Sequence, residues 1–174
     1  MTSPEKPSLD VTLNKEYRQG KKSILLVREL GNTQAALNVL YQTEYEVEMS
    51  KDSDSEATKS GPIVMPGEIE YDFSLTCYMA VNDPAVVMLE QAFLKNKEIE
   101  IWEIDLQHKH DNKYAANYYH AFVTSFSKTA SADEIVELEL EFGVNGVHQD
   151  GWATVTDDQE QASQYEFKDT TATI

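Results

Sequence analysis

The chain has 174 residues, a length that fits one domain, and carries 31 Asp and Glu against 14 Lys and Arg, for a formal charge of −17. Hydrophobic residues at 41% and aromatics at 10% are enough for a packed core, so the charge sits on a folded body rather than a disordered chain. Such acidity argues against nucleic acid held by phosphate contacts, which need Lys and Arg to displace counterions, and the single cysteine, Cys77, excludes an internal disulfide framework.

Residues 1–19 are polar, with Pro4 and Pro7, and read as an N-terminal arm without the apolar stretch of a signal peptide. No run approaches the roughly 18 apolar residues of a membrane span; the longest notable one is Ile24-Leu25-Leu26-Val27. A soluble protein made and folded in the cytoplasm, without a membrane partner, is expected. Residues 23–27 predict a strand buried on both faces, and residues 31–41 fit helix or strand. Over 43–49, Tyr45, Val47 and Met49 alternate with Glu44, Glu46 and Glu48, the period of a strand with one solvated face. Residues 50–67 then read as a long loop, rich in Ser and Asp and carrying Gly61-Pro62 and Pro66-Gly67. Loops of this length are functional or disordered, and this one is expected to be mobile in a free subunit.

Alternation resumes over 68–79, with Ile69, Tyr71, Phe73, Leu75, Cys77 and Met79 opposite Glu68, Glu70, Asp72, Ser74 and Thr76. One helix is predicted over 84–96. Asp83 caps it, Pro84 suits its first position, Val86, Leu89 and Phe93 form its apolar stripe, and Asn96 suits a left-handed end. Residues 98–106 change phase from Ile99 and Ile101 to Trp102, Ile104 and Leu106, which predicts a bulge near Trp102. Residues 117–127 read as a strand with Tyr118, Phe122 and Phe126 on one side, and 134–142 as another with Val136, Leu138, Leu140 and Phe142 opposite Glu137, Glu139 and Glu141. From 151 to 174 a second acidic arm follows, in which 164–167 could add a short strand. The fold class expected is mainly β: an antiparallel sandwich or partial barrel with one flanking helix, a long inter-strand loop and extended terminal arms around a domain at 20–150.

Catalytic chemistry finds no foothold. His108 and His110 with Asp111 could start a metal site, but no third ligand is placed near them, and 108–114 reads as a hairpin tip. Carboxylate pairs for glycoside hydrolysis arise by chance among 31 acids. Cys77 lies in the apolar phase of its strand and reads as a buried thiol. Glycine-rich phosphate loops and nucleophile elbows are absent from the sequence. No cofactor or metal is expected, and the residues alone stop at an acidic β-domain for assembly or binding. A carbohydrate- or receptor-binding module is the alternative, with Tyr114, Tyr118 and Tyr119 as its aromatic cluster.

The order of landmarks resembles the major tail, or tail-tube, proteins of long-tailed bacteriophages with non-contractile tails. These landmarks are the acidic strand entering Ser50-Lys51-Asp52-Ser53-Asp54-Ser55, then Thr58-Lys59-Ser60-Gly61, the strand over 68–79, Asp83-Pro84 with its helix, Ile101-Trp102-Glu103-Ile104-Asp105, and the ending with Tyr165 and Phe167. The resemblance implies a structural virion protein of the tail, not an enzyme. It implies hexameric rings that stack into a hollow tube, with one inner barrel made from strands of all six subunits. It also implies a tape-measure protein in the lumen, terminator and distal tail proteins at the ends, and DNA only as passing cargo. Carried onto this chain, Ser50, Lys51, Asp52, Ser53, Asp54, Ser55, Thr58, Lys59, Gly61, Pro62, Pro66 and Gly67 belong to the ring-stacking loop. Glu44, Glu46, Glu48, Glu68, Glu70, Asp72, Glu137, Glu139 and Glu141 are the candidates for an acidic lumen or strand face, since a carboxylate lining lets DNA slide where cations would hold it. A ring of such subunits repels itself, so moderate salt, which screens charge beyond about 8 to 10 Å, is expected to favour assembly.

Overall fold

Alternation of period two lets a strand bury one face, and the chain exploits it along nearly its whole length. In the computed structural model, which describes residues 16–162, a 3-10 turn at Gly20–Lys22 leads into β1 (Ser23–Glu29). There follow β2 (Leu37–Asn38), β3 (Gln42–Thr58), β4 (Gly61–Tyr78), α1 (Pro84–Lys95), β5 (Ile99–His110), β6 (Lys113–Thr129), β7 (Glu137–Ala153) and a short α2 (Asp157–Ala162). The strands form one antiparallel sheet in the order β2-β1-β5-β6-β7-β4-β3.

Backbone pairing does not close this sheet, but it curls until its two ends share a core. Leu25 and Val27 of β1 lie in one cluster with Phe73, Leu75 and Cys77 of β4, and Tyr45 and Val47 of β3 pack against it. At the seam, the Gln42 side chain substitutes for a strand. Its Oε1 accepts from the Leu25 N–H at 3.0 Å and its Nε2 donates to the Leu25 carbonyl at 2.8 Å. The Tyr45 hydroxyl, reaching across from the far edge, hydrogen-bonds Ser23 of β1 and donates to Glu103 of β5 at 3.1 Å. Burial pushes the Tyr45 phenol up to about 12, so it stays a neutral donor.

Curling is possible because β6 and β7 bend. Register shifts fall between Tyr118 and His120 and between Val123 and Ser125, and extra residues at such points bend a strand and increase its twist. The strands thereby serve two halves. One contains β3, β4, the start of β7 and the end of β6; the other contains β2, β1, β5, the start of β6 and the end of β7. The expected sandwich is thus one sheet folded on itself. The outer face of the second half holds a smaller cluster of Ile24, Leu26, Ile104, Tyr114 and Ala116, against which Trp102, Leu106 and Val155 pack.

α1 is built as its ends predict. Asp83 Oδ1 accepts from the Ala85 N–H at 2.9 Å, Pro84 occupies the first position, and Asn96 closes the helix in the left-handed conformation at φ 50°. Ala85, Val86, Leu89 and Ala92 are buried in the main core. Phe93 lies at the helix margin, stacked on Phe126 with centroids 6.3 Å apart.

Several expectations change. The stretch 50–67, read as an unpaired loop, is instead a β-hairpin continuing β3 and β4, paired from Ser50↔Glu70 to Thr58↔Gly61. Its Ser, Asp, Gly and Pro residues resemble turn chemistry, yet Pro62 and Pro66 lie four apart and so share one phase of the ladder. Here β4 pairs only with β3, and prolines at an edge need not donate. No bulge interrupts β5 at Trp102: pairing to β1 and β6 runs without a shift from Ile99 to Asp105. Burial on both faces, not a bulge, moves the apolar phase. Phe126 joins the inner core, whereas Tyr118 lies on the outer face beside Trp102, because the register shift at Val123/Ser125 intervenes. Residues 31–41 contribute only β2 and turns, and β7 extends to Ala153, two residues beyond the start expected for the second arm. The strand expected at 164–167 and most of the N-terminal arm lie outside the described residues.

Asp83 is 2% exposed, and its Oδ2 also accepts from the Leu40 N–H at 3.0 Å. Asp83→Ala therefore removes a cap and orphans a second donor. The expected loss is about 2–4 kcal/mol, or roughly 5–15 °C in Tm. Thermal unfolding measures it, and a loss under about 1 kcal/mol would show that Asp83 does not tie the helix to the sheet.

Candidate functional site: an acidic sheet face with open edges

The carboxylates picked out by alternation come together only through register. Across the first half of the sheet, Glu44 of β3 lies beside Thr76 of β4, Thr76 beside Glu139 of β7, and Glu139 beside Ser127 of β6. The next row reads Glu46, Ser74, Glu141, Ser125, and Glu137 lies between Tyr78 and Thr129. Acid strands alternate with hydroxyl strands. Like charges in one row are therefore two strand spacings apart, about 10 Å, near the screening length in physiological salt. Only Glu48 and Asp72 face each other directly.

These rows contain no Lys or Arg. Lys128, in the other phase of β6, pairs with Glu90 of α1 at 2.9 Å. Glu44, Glu46, Glu48, Asp72, Glu139 and Glu141 are exposed, and Glu137 is half-buried. Glu68 and Glu70 lie apart from the rows, on the hairpin beyond the last β4 residue paired with β7, Phe73. The sequence showed the acids. It did not show that Ser125, Ser127 and Thr129 complete the pattern, because cross-strand register depends on the irregularity at Val123/Ser125 and on which strands become neighbours, neither of which local alternation names.

Two backbone edges flank this face. β3 ends the strand order, and residues 122–129 of β6 have no strand partner on their β5 side among the described residues, since pairing there starts at Ile99↔Ala121. By contrast, the aromatic cluster proposed for a binding module is dispersed. Tyr114 and Tyr119 are 3% and 2% exposed in different clusters, and Tyr119 donates to Glu103 at 3.0 Å. His108 and His110 both pack on Trp152, at 5.2 and 5.4 Å. Cys77 is buried, and burial pushes its thiol up to about 11, away from the thiolate a nucleophile needs.

The other half carries a charged network on its outer face. Arg28 Nε donates to Glu100 at 2.6 Å, the Tyr118 hydroxyl donates to the other Glu100 oxygen at 2.6 Å, and the Arg28 guanidinium lies 4.9 Å over Trp102. Burial alone would raise the Glu100 carboxyl, but hydrogen bonds from Arg28 and Tyr118 and the Arg28 charge hold it below the ordinary carboxylate value. A depressed folded-state pKa gives stability that is complete above the unfolded value and is lost as pH falls through the folded one. Glu100→Gln should therefore lower the urea midpoint at about pH 7 and flatten its fall toward about pH 3; an unchanged slope would remove Glu100 from the acid response.

A family model described as phage tail tube protein matches residues 18–150. A tail protein of Staphylococcus phage phiMR25 is 33% identical over 155 residues, spanning 85% of this chain and 80% of that protein. The tail tube protein gp17.1* of Bacillus phage SPP1 is 27% identical over 67% of this chain and 44% of its own length. Among solved structures, the SPP1 tail tube shares the fold with a TM-score of 0.73 at 21% identity, covering 88% of this chain and 94% of that one. The tail of an empty gene transfer agent particle, refined with C6 symmetry, gives 0.59 at 13% identity over 76% and 98%. With the family pattern matched over most of its length, and a third of positions shared with a phage tail protein across most of both chains, this chain belongs to the phage tail tube proteins and is a structural component of the virion tail.

Proposed function

We propose that copies of this chain pair edge to edge into a closed ring, that rings stack into the tube, and that the carboxylate face lines the bore through which the genome passes. The observation that carries this reading is the pair of open edges, β3 and residues 122–129 of β6, on either side of a four-stranded section. Neighbours within it are antiparallel. Because four is even, β3 and β6 run in opposite directions, and a copy related by rotation brings its β6 edge antiparallel to β3. An odd count would force a parallel joint into an otherwise antiparallel barrel. Closure in a ring also removes edges that would otherwise template aggregation.

Six copies, the symmetry to which the gene transfer agent tail was refined, give a barrel of about 24 strands. At about 4.8 Å per strand and a tilt near 40°, its backbone circle is about 45–50 Å across, wide enough for a duplex surrounded by water. On such a wall, carboxylates and hydroxyls repel or merely hydrate phosphates, whereas each lysine would form a contact that must break as the DNA moves. The same reading takes a tape-measure protein as the earlier occupant of the bore, terminator and distal tail proteins at its ends, and a siphophage as its source.

Assembly is tested by cross-linking. Glu46→Cys and Ser127→Cys in one chain, joined by a short bismaleimide, should give a ladder of covalent oligomers that ends at six and rings with a central channel by negative-stain microscopy. A ladder ending at two would mean a twofold dimer and overturn the edge pairing. The lining is tested in virions carrying Glu46→Lys and Glu141→Lys. Genome release, followed with a DNA-binding dye, should slow by about tenfold or more at low salt and recover as salt rises; release at the wild-type rate would reject a role for the lining charge.

A further inference from the structure

Three residues of β7, Gly146, Val147 and His148, lie opposite the single β6 residue Tyr119, because Tyr118 pairs with Gln149 and His120 with Asn145. The excursion lies where β7 turns from one half of the sheet to the other, and it holds Gly146 at φ 68° with Val147 57% exposed. A span that leaves the ladder opens more readily than its neighbours unless side chains tie it. One end is tied by His148. Its N–H donates to the Tyr71 hydroxyl at 3.2 Å, and its Nδ1 lies 2.7 Å from the same oxygen, whose own proton it accepts. With Nε2 3.5 Å from Asp150, a neutral ring protonated on Nε2 meets these contacts.

The other end is tied through His120, and there a neutral ring fails. Register sets Arg28, Glu100, His120 and Asn145 in one row across β1, β5, β6 and β7. The Tyr118 hydroxyl donates its one proton to Glu100 at 2.6 Å, so toward His120 Nε2, 2.8 Å away, it only accepts. The other ring nitrogen, Nδ1, lies 3.5 Å from Glu98 Oε1, the oxygen that also accepts from the Asn145 amide at 2.9 Å. Either neutral tautomer sets a bare nitrogen against an acceptor: Nδ1 against the Glu98 carboxylate, or Nε2 against the Tyr118 oxygen. Only the imidazolium presents a hydrogen to both. The charged and titratable groups around it are Glu98 and Glu100 on the β5 side, Tyr118 on β6 and, beyond Glu100, Arg28 of β1, which Glu100 holds at 2.6 Å. Lys97 is paired with Glu29, and β7 contributes the uncharged Asn145.

We propose that His120 is a proton-operated clasp on the bend of β7. Charged, it donates to Tyr118 and Glu98 and, through Glu98, steadies Asn145 at the edge of the excursion; neutral, it turns a lone pair on one of them and residues 145–149 loosen. A histidine whose charged form gains partners on folding adds stability that is complete at low pH and is lost as pH rises through its titration, and histidine is the side chain that changes charge between about pH 5 and 8. Glu100 works in the opposite sense, its contribution being lost toward acid, so the row is held best between the two titrations. The clasp lies within one copy and operates whether or not rings form.

Amide hydrogen exchange in the full chain, corrected for the intrinsic effect of pH on exchange, tests the clasp. Protection over residues 144–149 should be severalfold higher at pH 6 than at pH 8 in the wild-type chain. His120→Gln, neutral at both values, should remove that difference, and so should Glu98→Gln, which keeps the shape of the side chain and loses its charge. His120→Arg, charged at both values, should keep the segment protected throughout. Amides of residues 138–142, in the same strand but away from the clasp, should be equally protected in every variant and report an intact fold. A wild-type ratio near one, or a His120→Gln chain that still loses protection as pH rises, would overturn the clasp; if a substitution at position 120 unfolds the chain, Glu98→Gln decides, and a pH dependence that survives it overturns the clasp equally.

Discussion

An edge strand leaves backbone N–H and C=O groups that must find partners, and the architecture of this protein is organised around where they find them. At the seam of the curled sheet, the Gln42 amide supplies a donor and an acceptor to Leu25, so one chain finishes that edge for itself. β3 and the end of β6 are left without a further strand partner among the described residues. Edge strands are blunted by shortness, proline, bulges or charge; β3 carries charge and two register irregularities but neither of the other two devices. β3 is 17 residues long and has no proline.

The charge pattern obeys a second constraint that works with the first. Carboxylates directly opposite each other across a ladder destabilise it, and no Lys or Arg lies in these rows to neutralise them. Interleaving hydroxyl strands keeps the glutamates of one row two strands apart. Ser74, Thr76, Ser125 and Ser127 space the glutamates and offer neutral hydrogen-bonding groups to water. The cations are used elsewhere: Arg28 on Glu100, Lys97 on Glu29, Lys128 on Glu90.

Bulges connect these layers of organisation. The shifts in β6 and β7 turn two long strands from one half of the sheet to the other, which lets α1 and the inner faces share one core while the acidic rows stay on a face of their own. Buried phenols hold the fold where the halves meet. Tyr45 and Tyr119 both donate to Glu103, giving the carboxylate the partners that burial of a charge requires.

Much of this was legible from residue order. The period-two runs at 43–49, 68–79 and 134–142 identified three strands and the buried side of each, since alternation is a local property of extended backbone. Asp83, Pro84 and Asn96 marked the one long helix among the described residues, since caps act within one turn. Other features depended on neighbours that the local pattern does not name. The hairpin at 50–67 looked like loop because its composition is that of a turn, and only pairing makes it a ladder. The Trp102 phase change looked like a bulge because a strand covered on both faces loses its alternation. The acids themselves, their number and their solvated phase were thus determined by sequence alone; which of them share a row, which hydroxyls separate them and which edges stay open were decided by tertiary structure, because register is set by bulges and long-range contacts and a shift of one residue moves every side chain to the other face.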